Sequence, residues 1–445
     1  MTARQTATAG PSAVLVAACA SGQGKTTVAA ALARLHARAG ARVRAFKCGP
    51  DFLDPQWLAM ASGAPVDSLD LWINGEADCA ARLATAAREA DLVIVEGVMG
   101  LYDGQPSAAD LAQRFGLPVL AVIDAGAMAG TFAALVHGLR TWRPGLPWAG
   151  VLANRVGSAR HAAMLQESLA PDAGWLGHLP RGDAFALPER HLGLAAAGEL
   201  PDALARLDAA ADALAATALG QRPLRAWPHW QPPPSPAVAP TAPLLAGRRI
   251  AVARDAAFAF VYPANLEVLH ALGAQLEFFS PLAGDALPAC DALWLPGGYP
   301  ELHAGALAAR TELRDQIADH VQAGRPLWAE CGGMMALAET LVDGGGERHR
   351  MWGLLPGTAV LGRRLAALGP HRLRFGEDEL RGHSFHWSRF ETDLAAIALT
   401  EPARGAAAGA GEPVYQRGSL RASWFHPWFA SSPALAARLF SPGAW

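Results

Sequence analysis

The sequence predicts two α/β domains in tandem, each built on a parallel sheet covered by helices. Three observations carry this. Short apolar runs alternate with Ala/Leu-rich helical stretches along most of the chain, and strands that alternate with helices pair in parallel with helices on their faces. A glycine-rich turn, Ser21-Gly22-Gln23-Gly24-Lys25-Thr26-Thr27, separates the first such run from the first such helix. A proline-dense stretch at residues 222–243, including Pro232, Pro233, Pro234 and Pro236, divides the chain near its middle. It can form neither a helix nor a central strand and reads as a linker. The expected domains are residues 1–221 and 248–445, joined by residues 222–247.

In order, residues 13–18 read as a buried strand and residues 26–39 as a helix closed by Gly40, glycine being the usual helix terminator. Residues 42–46, 91–95, 119–123 and 149–152 follow as strands. Beyond the linker, strands are expected at residues 249–253, 275–279, 292–295 and 326–329. Residues 405–411 read as an Ala/Gly loop, and no internal repeat is evident.

Bulk properties narrow the function. The 445 residues suit two or three domains with cores of their own. With 51% hydrophobic and 17% charged residues the chain is compact rather than disordered. A net charge of −3 exerts no general pull on nucleic acid. The five cysteines, at 19, 48, 79, 290 and 331, are scattered without a CxxC pair. That pattern predicts neither a disulfide framework nor a zinc cluster, and it fits a reduced cytoplasm. Residues 1–12 lack the apolar core of a signal peptide, and runs such as 117–122 are too short for a bilayer, so no membrane association is expected.

Only two of the 37 basic residues are lysines, Lys25 and Lys47. A compact ammonium is not interchangeable with a guanidinium. Lys25 lies where a strand–turn–helix phosphate loop needs its lysine, with Ser21, Gly22, Gly24 and Thr27 around the phosphates and the Thr26 hydroxyl available to Mg²⁺. Cys19 replaces the first glycine of the full motif, and Ala20 stands where dimer-switch ATPases carry an early second lysine. Glu96 ends an apolar strand at the edge where parallel sheets bind ligands, and reads as a Mg²⁺ ligand. Asp51, Asp54 and Asp103 are further acidic candidates. Asp54 precedes Pro55 and also fits a helix cap, Asp103 also fits a turn, and Asp51 has no such alternative.

A second chemical landmark is Ala329-Glu330-Cys331-Gly332-Gly333, read as strand, tight turn and helix. A thiol at such an elbow is exposed to a substrate, and the following N–H groups can hold an oxyanion. The turn at Gly297-Gly298 could add donors. The required base is His383, His386 or His426, and spacing alone does not choose.

Together these segments resemble the cobyrinic/hydrogenobyrinic acid a,c-diamide synthase family almost end to end. The resemblance rests on the phosphate loop, on residues 47–55 (Lys47-Cys48-Gly49-Pro50-Asp51-Phe52-Leu53-Asp54-Pro55), on residues 96–104, on Asn154-Arg155-Val156-Gly157-Ser158 and on residues 188–194. In the second half it rests on residues 253–258, 262–267 and 279–282, on Leu295-Pro296-Gly297-Gly298-Tyr299-Pro300-Glu301-Leu302 and on the segment around Cys331. It implies a dethiobiotin-synthetase-like P-loop ATPase domain followed by a class I glutamine amidotransferase domain of flavodoxin-like α/β architecture. The implied reaction is ATP-, Mg²⁺- and glutamine-dependent amidation of the a and c acetates of a corrin through acyl phosphates, in cobalamin biosynthesis. Cys331 would be the nucleophile, His426 its partner, and Gly298 and Gly332 the oxyanion neighbours. Lys25, Lys47, Asp51, Asp54, Glu96 and Asp103 would serve the synthetase site, and Asn154 the adenine. Arg363, Arg364, Arg372 and Arg374 are candidates for a polycarboxylate substrate. Two positions depart from the family: Trp428 replaces a second histidine after His426, and Trp387 replaces a tyrosine. Other readings are the same diamidation on nickel-sirohydrochlorin, a sister enzyme for other corrin side chains, and a P-loop switch with a degenerate amidotransferase domain. A homodimer is left open.

Overall fold

The computed structural model describes residues 10–190, 193–194, 197–236, 241–403 and 411–443. His191 and Leu192 of the 188–194 segment and residues 405–410 of the Ala/Gly loop lie outside that set. The chain divides into two compact units, Met1–Ala237 and Val238–Trp445.

The first unit is a seven-stranded parallel sheet. Its strands are β1 (Ser12–Ala18), β2 (Val43–Cys48), β3 (Asp67–Leu69), β4 (Leu92–Glu96), β5 (Val119–Asp124), β6 (Trp148–Val156) and β7 (Trp175–Pro180), in the order β3-β2-β4-β1-β5-β6-β7. Every residue of β1 is buried, which fits a central strand with helices on both faces. Helix α1 (Lys25–Arg38) follows β1, and α2 (Asp54–Ser62) follows β2. The α1 face of the sheet is filled by Val14, Val16, Leu32, Trp57 and Leu120, the opposite face by Leu15, Phe46, Val93, Leu111 and Phe132.

Register places the chemistry. Lys47 of β2 pairs with Glu96 of β4, and Val16 of β1 pairs with Glu96 from the other side. Asp124 of β5 pairs with Asn154 of β6. All these polar residues lie at the C-terminal edge, where such sheets bind ligands.

The second unit is centred on another seven-stranded sheet. Strands Gln275–Phe279, Arg249–Ala253, Ala292–Leu295, Leu327–Glu330 and Leu420–Ser423 run parallel, and Pro413–Arg417 and Ala396–Leu399 extend the sheet antiparallel. Two four-stranded sheets are built from the stretch between residues 338 and 427. One of them pairs Asp378–His386 with His426–Pro427, setting His383 opposite His426.

Part of the proline-rich stretch is docked on the first unit. Trp227 and Trp230 are buried, and the Trp230 indole N–H donates to the Phe115 carbonyl at 2.8 Å. The stretch is further held at the start of β1, where the Ser12 hydroxyl donates to the Leu224 carbonyl at 3.0 Å and Ser12 forms a β-bridge with His229. Trp230→Ala is expected to lower first-unit stability by about 3–5 kcal/mol. In urea unfolding its transition should move to lower concentration while that of the second unit stays in place.

Candidate functional site

Beyond Ala18 the chain turns through residues 19–24 and enters α1 at Lys25. Gly24 has φ +93°, and a Cβ there would stand 2.3 Å from Asn154 Nδ2. Glycine is therefore required for Asn154 to close on the loop, where its Nδ2 donates to the Gln23 carbonyl at 2.9 Å. Lys25 Nζ donates to the carbonyls of Ala20 (3.1 Å) and Met99 (2.7 Å). Burial, and then the neighbouring Lys47, pull its pKa down. Such an ammonium gains from meeting an anion.

Lys47 is almost wholly buried. Its Nζ lies 2.7 Å from Asp54 Oδ2 and 3.2 Å from Glu96 Oε1, and donates to the Gly97 carbonyl at 3.1 Å. Burial opposes its charge, but Asp54, Glu96 and Asp51 outweigh burial and hold it protonated. Glu96 Oε1 also accepts from the Thr26 hydroxyl at 2.5 Å. Its other oxygen, Oε2, is buried without a hydrogen-bond partner. Burial pushes the Glu96 carboxyl up to about 7, with Lys47 opposing and Asp54 adding repulsion. An orphaned carboxylate oxygen beside a threonine hydroxyl is a hard oxygen donor set and fits Mg²⁺.

The two aspartates share out their tasks differently from the sequence-based alternatives. Asp54 does not cap α2; it is the first helical residue, and its carboxylate goes to Lys47, which draws it below the usual range against the effect of burial. The turn-holding task falls to Asp51, whose Oδ1 accepts the N–H groups of Leu53 (2.8 Å) and Asp54 (3.1 Å). Burial and the nearby Asp54 push Asp51 up to about 7. Asp103 is exposed and closes its own turn, accepting the Gly100 N–H at 2.7 Å.

Ser21, Gly22, Gly24, Lys25, Thr26, Thr27, Lys47, Asp51, Asp54, Glu96 and Asn154 all line one cavity of about 630 Å³. Asp103 is not among its lining residues. The cavity is also lined by Arg155, which lies in the 154–158 segment, and by Arg181 and Phe185, for which the sequence gives no signal. Arg155 is held at φ +57°, with its guanidinium donating to Asp124 (2.6 Å) and to the Gly22 carbonyl (3.0 Å).

In the second unit Cys331 joins strand Leu327–Glu330 to helix Gly332–Leu337 at φ +45°, ψ −105°. A non-glycine residue held there is strained, a feature that clusters at functional elbows. The turn closes only because its neighbours lack side chains. A Cβ at Gly332 would lie 2.8 Å from the Gly298 nitrogen, and one at Gly298 would lie 2.1 Å from the Ala257 carbonyl oxygen. The backbones of Gly298 and Gly332 are thereby pressed together. Burial, followed by Glu301 and Glu330, pushes the Cys331 thiol above its ordinary value against the Gly332 N–H. Such a thiol needs a proton acceptor to become a nucleophile.

The structure separates the three candidate bases. His386 is committed to Glu412 (3.1 Å) and the Ser388 carbonyl (2.7 Å). His383 is buried, faces the Tyr262 hydroxyl at 3.3 Å, and is driven well toward its neutral form by burial and by His426. His426 follows Ser423 by three residues, and the Ser423 carbonyl accepts the Cys331 N–H at 2.8 Å. Its ring lies against the Gly297 turn, where a Cβ would stand 2.5 Å from Cε1. Its Nδ1 lies 3.3 Å from Glu330 Oε2, a contact that sequence reading missed because Glu330 reads simply as a strand end. Trp428 is a core residue, packed edge-on against Tyr262 with ring centroids 5.0 Å apart. Arg372 and Arg374 are engaged by Glu401, and Arg372 also by Glu379.

Comparison with known proteins covers both units. Residues 14–194 match the family model of the CobQ/CobB/MinD/ParA nucleotide binding domain, and residues 249–434 match that of the CobB/CobQ-like glutamine amidotransferase domain. A hydrogenobyrinate a,c-diamide synthase of Stutzerimonas stutzeri is 56% identical over 97% of this chain and 98% of its own length. The chain belongs to the hydrogenobyrinate/cobyrinate a,c-diamide synthase family. Within that family a cobyrinate a,c-diamide synthase of Herminiimonas arsenicoxydans is 49% identical, covering 96% of both chains. One of Salmonella typhimurium is 36% identical over 95% of this chain and 96% of its own. As in this family, a nucleotide-binding unit precedes an amidotransferase unit, and the chain is an amide-forming ligase. Among the described residues no helix is long and apolar enough to cross a membrane.

Gly24→Ala is the sharpest test of the phosphate loop. The added methyl meets Asn154 at a residue held at positive φ, so ATP affinity should fall roughly tenfold or more. Calorimetric titration measures this, with alkylation of Cys331 by iodoacetamide expected to be unchanged. Wild-type ATP affinity would contradict the assignment.

Proposed function

We propose that this chain converts the a and c acetate carboxylates of a corrin, hydrogenobyrinic or cobyrinic acid, into primary amides with glutamine as nitrogen source and ATP as energy source. The observation that carries this reading is the pairing, in one chain, of a buried lysine–carboxylate phosphate site with a strained thiol backed by an imidazole. The relatives' activities support the substrate class.

The synthetase chemistry belongs to residues 1–221 and the glutaminase chemistry to residues 248–445. In the second domain Cys331 Sγ attacks the carboxamide carbon of glutamine. A C–S bond forms, and Gly298 and Gly332 face the oxygen on which charge develops. His426 takes the thiol proton and returns it to the departing nitrogen. The C–N bond breaks, ammonia leaves, and water hydrolyses the glutamyl thioester. In the first domain a corrin carboxylate oxygen attacks the γ-phosphorus of ATP as the β,γ-bridging bond breaks and ADP leaves; ammonia then attacks the acyl carbon of the acyl phosphate, the C–O bond to phosphate breaks, and loss of one proton with departing phosphate leaves the primary amide. A carboxylate is a poor electrophile, and phosphorylation supplies its leaving group. Lys25 meets charge on the phosphates, Lys47 orients Glu96 and Asp54, and Asn154 faces the adenine. Thr26 and Glu96 would hold Mg²⁺, which when bound offsets phosphate charge. Asp103 supports the loop carrying Met99. The five free thiols suit a reducing cytoplasm.

Two substitutions separate the halves. Cys331→Ala should abolish glutamine-dependent amidation and leave amidation with ammonium chloride near the wild-type rate. Lys25→Ala should abolish amidation with either nitrogen source, by about 10²-fold or more given the weight of phosphate-binding cations in phosphoryl transfer. Retention of glutamine use by the first, or of ammonia use by the second, would contradict the two-site reading. A further test addresses the metal donor: Glu96→Gln should raise the Mg²⁺ concentration needed for half-maximal ATP cleavage, and an unchanged requirement would leave Glu96 a structural strand end.

A further inference from the structure

Glu330 immediately precedes the nucleophile and ends its strand. Its side chain is almost wholly buried, with 2% of its surface exposed. Oε1 accepts two indole N–H groups, from Trp294 at 3.0 Å and Trp328 at 2.8 Å. Oε2 faces His426 Nδ1 at 3.3 Å. An indole nitrogen can only donate, so both tryptophans fix which oxygen points where. A buried carboxylate is costly unless its charge is met. Here burial pushes the Glu330 carboxyl up, and His426 first, then Trp328 and Trp294, draw it back. The residues following His426, Pro427 and Trp428, carry no carboxylate, so an acidic partner for this imidazole has to come from elsewhere in the fold.

We propose that Glu330 is the positioning residue of the thiol site: its Oε2 holds the Nδ1–H tautomer of His426, so that the unprotonated Nε2 is the atom that takes the Cys331 proton, and it shares the charge of the imidazolium that results. The contact is long for a charge-assisted hydrogen bond, as such bonds often are before substrate is bound. The nucleophile and the group orienting its base are thus adjacent in sequence. The bend at Cys331, φ +45°, lies between them. The two indoles make the arrangement rigid, since neither carboxylate oxygen can rotate away without orphaning a donor.

This inference rests on the glutaminase reading of Cys331, and the test keeps the two apart. The quantity to measure is the ratio of glutamine-dependent to ammonia-dependent amidation, which a general folding defect does not change. In Glu330→Gln the carboxamide oxygen must take the place of Oε1 to satisfy both indoles. Its NH₂ then faces Nδ1 and forces the ring into the other tautomer. The ratio should fall by about 10³-fold or more, as when a triad carboxylate is made an amide. The loss should appear in kcat, with little change in the KM for glutamine. ¹⁵N NMR of histidine-labelled protein should show the His426 proton moved from Nδ1 to Nε2. Trp328→Phe, which removes one of the clamping donors, should lower the same ratio by a smaller factor, and Glu330→Asp should recover part of the activity lost in Glu330→Gln. An unchanged ratio in Glu330→Gln, or a reduced ratio with the proton still on Nδ1, would overturn the role of Glu330. If Cys331→Ala measured in parallel still uses glutamine, the glutaminase reading fails instead.

Discussion

A charged side chain removed from water must be met by opposite charge, and in this protein that requirement fixes the phosphate site. Lys47 is buried between Glu96 and Asp54, and its position follows from the register that pairs it with Glu96 across β2 and β4. A slip of one residue would turn Lys47 to the other face of the sheet and leave Glu96 buried without its cation. Thr26, at the start of α1, is held by the same carboxylate. Strand register, helix start and loop geometry are therefore coupled through one acidic residue. One oxygen of that residue is satisfied within the protein and the other is not. A stable fold does not need an orphaned buried oxygen, whereas a site that receives a cation does.

The second unit follows a related logic with opposite chemistry. The pairing of Leu327–Glu330 with Leu420–Ser423 brings the chain leading to His426 beside the strained turn at Cys331. Glycines at 298, 332 and 333 let three backbone segments, around Ala257, Gly298 and Gly332, approach within distances that any Cβ would block, and Gly297 makes room for the His426 ring. Strain at Cys331 is stabilised by that packing. The stack of His383 on His426, with ring centroids 5.0 Å apart, adds a wall that also disfavours charge on His383. On the proposed mechanism the proton-accepting task therefore falls to His426 rather than His383.

Much of this was legible in the sequence. Parallel strands buried on both faces are continuous apolar runs, so β1, β2, β4, β5 and the strand Arg249–Ala253 were found within a residue or two of their observed ends. Less legible were β3, three residues long, and the mostly antiparallel strands between residues 338 and 402, whose buried positions are interspersed with exposed ones or which lie at edges. The phosphate loop was readable because glycine, lysine and threonine at fixed spacing serve one geometry. The exchange of tasks between Asp51 and Asp54 was not, since capping and ion pairing call for the same carboxylate. Nor was the contact of Glu330 with His426, which lie 96 positions apart, nor the lining by Arg181 and Phe185, which lie just beyond β7.

The central claim is that one chain couples glutamine hydrolysis to amidation of two carboxylates on a corrin. The most direct measurement is mass spectrometry of the products formed with ATP, Mg²⁺ and amide-¹⁵N glutamine from hydrogenobyrinic acid, cobyrinic acid and nickel-sirohydrochlorin supplied in parallel. Two OH-to-¹⁵NH₂ replacements on a corrin substrate, and no more, are expected. ATP cleavage without amidation of any of the three would contradict the claim and favour a nucleotide switch.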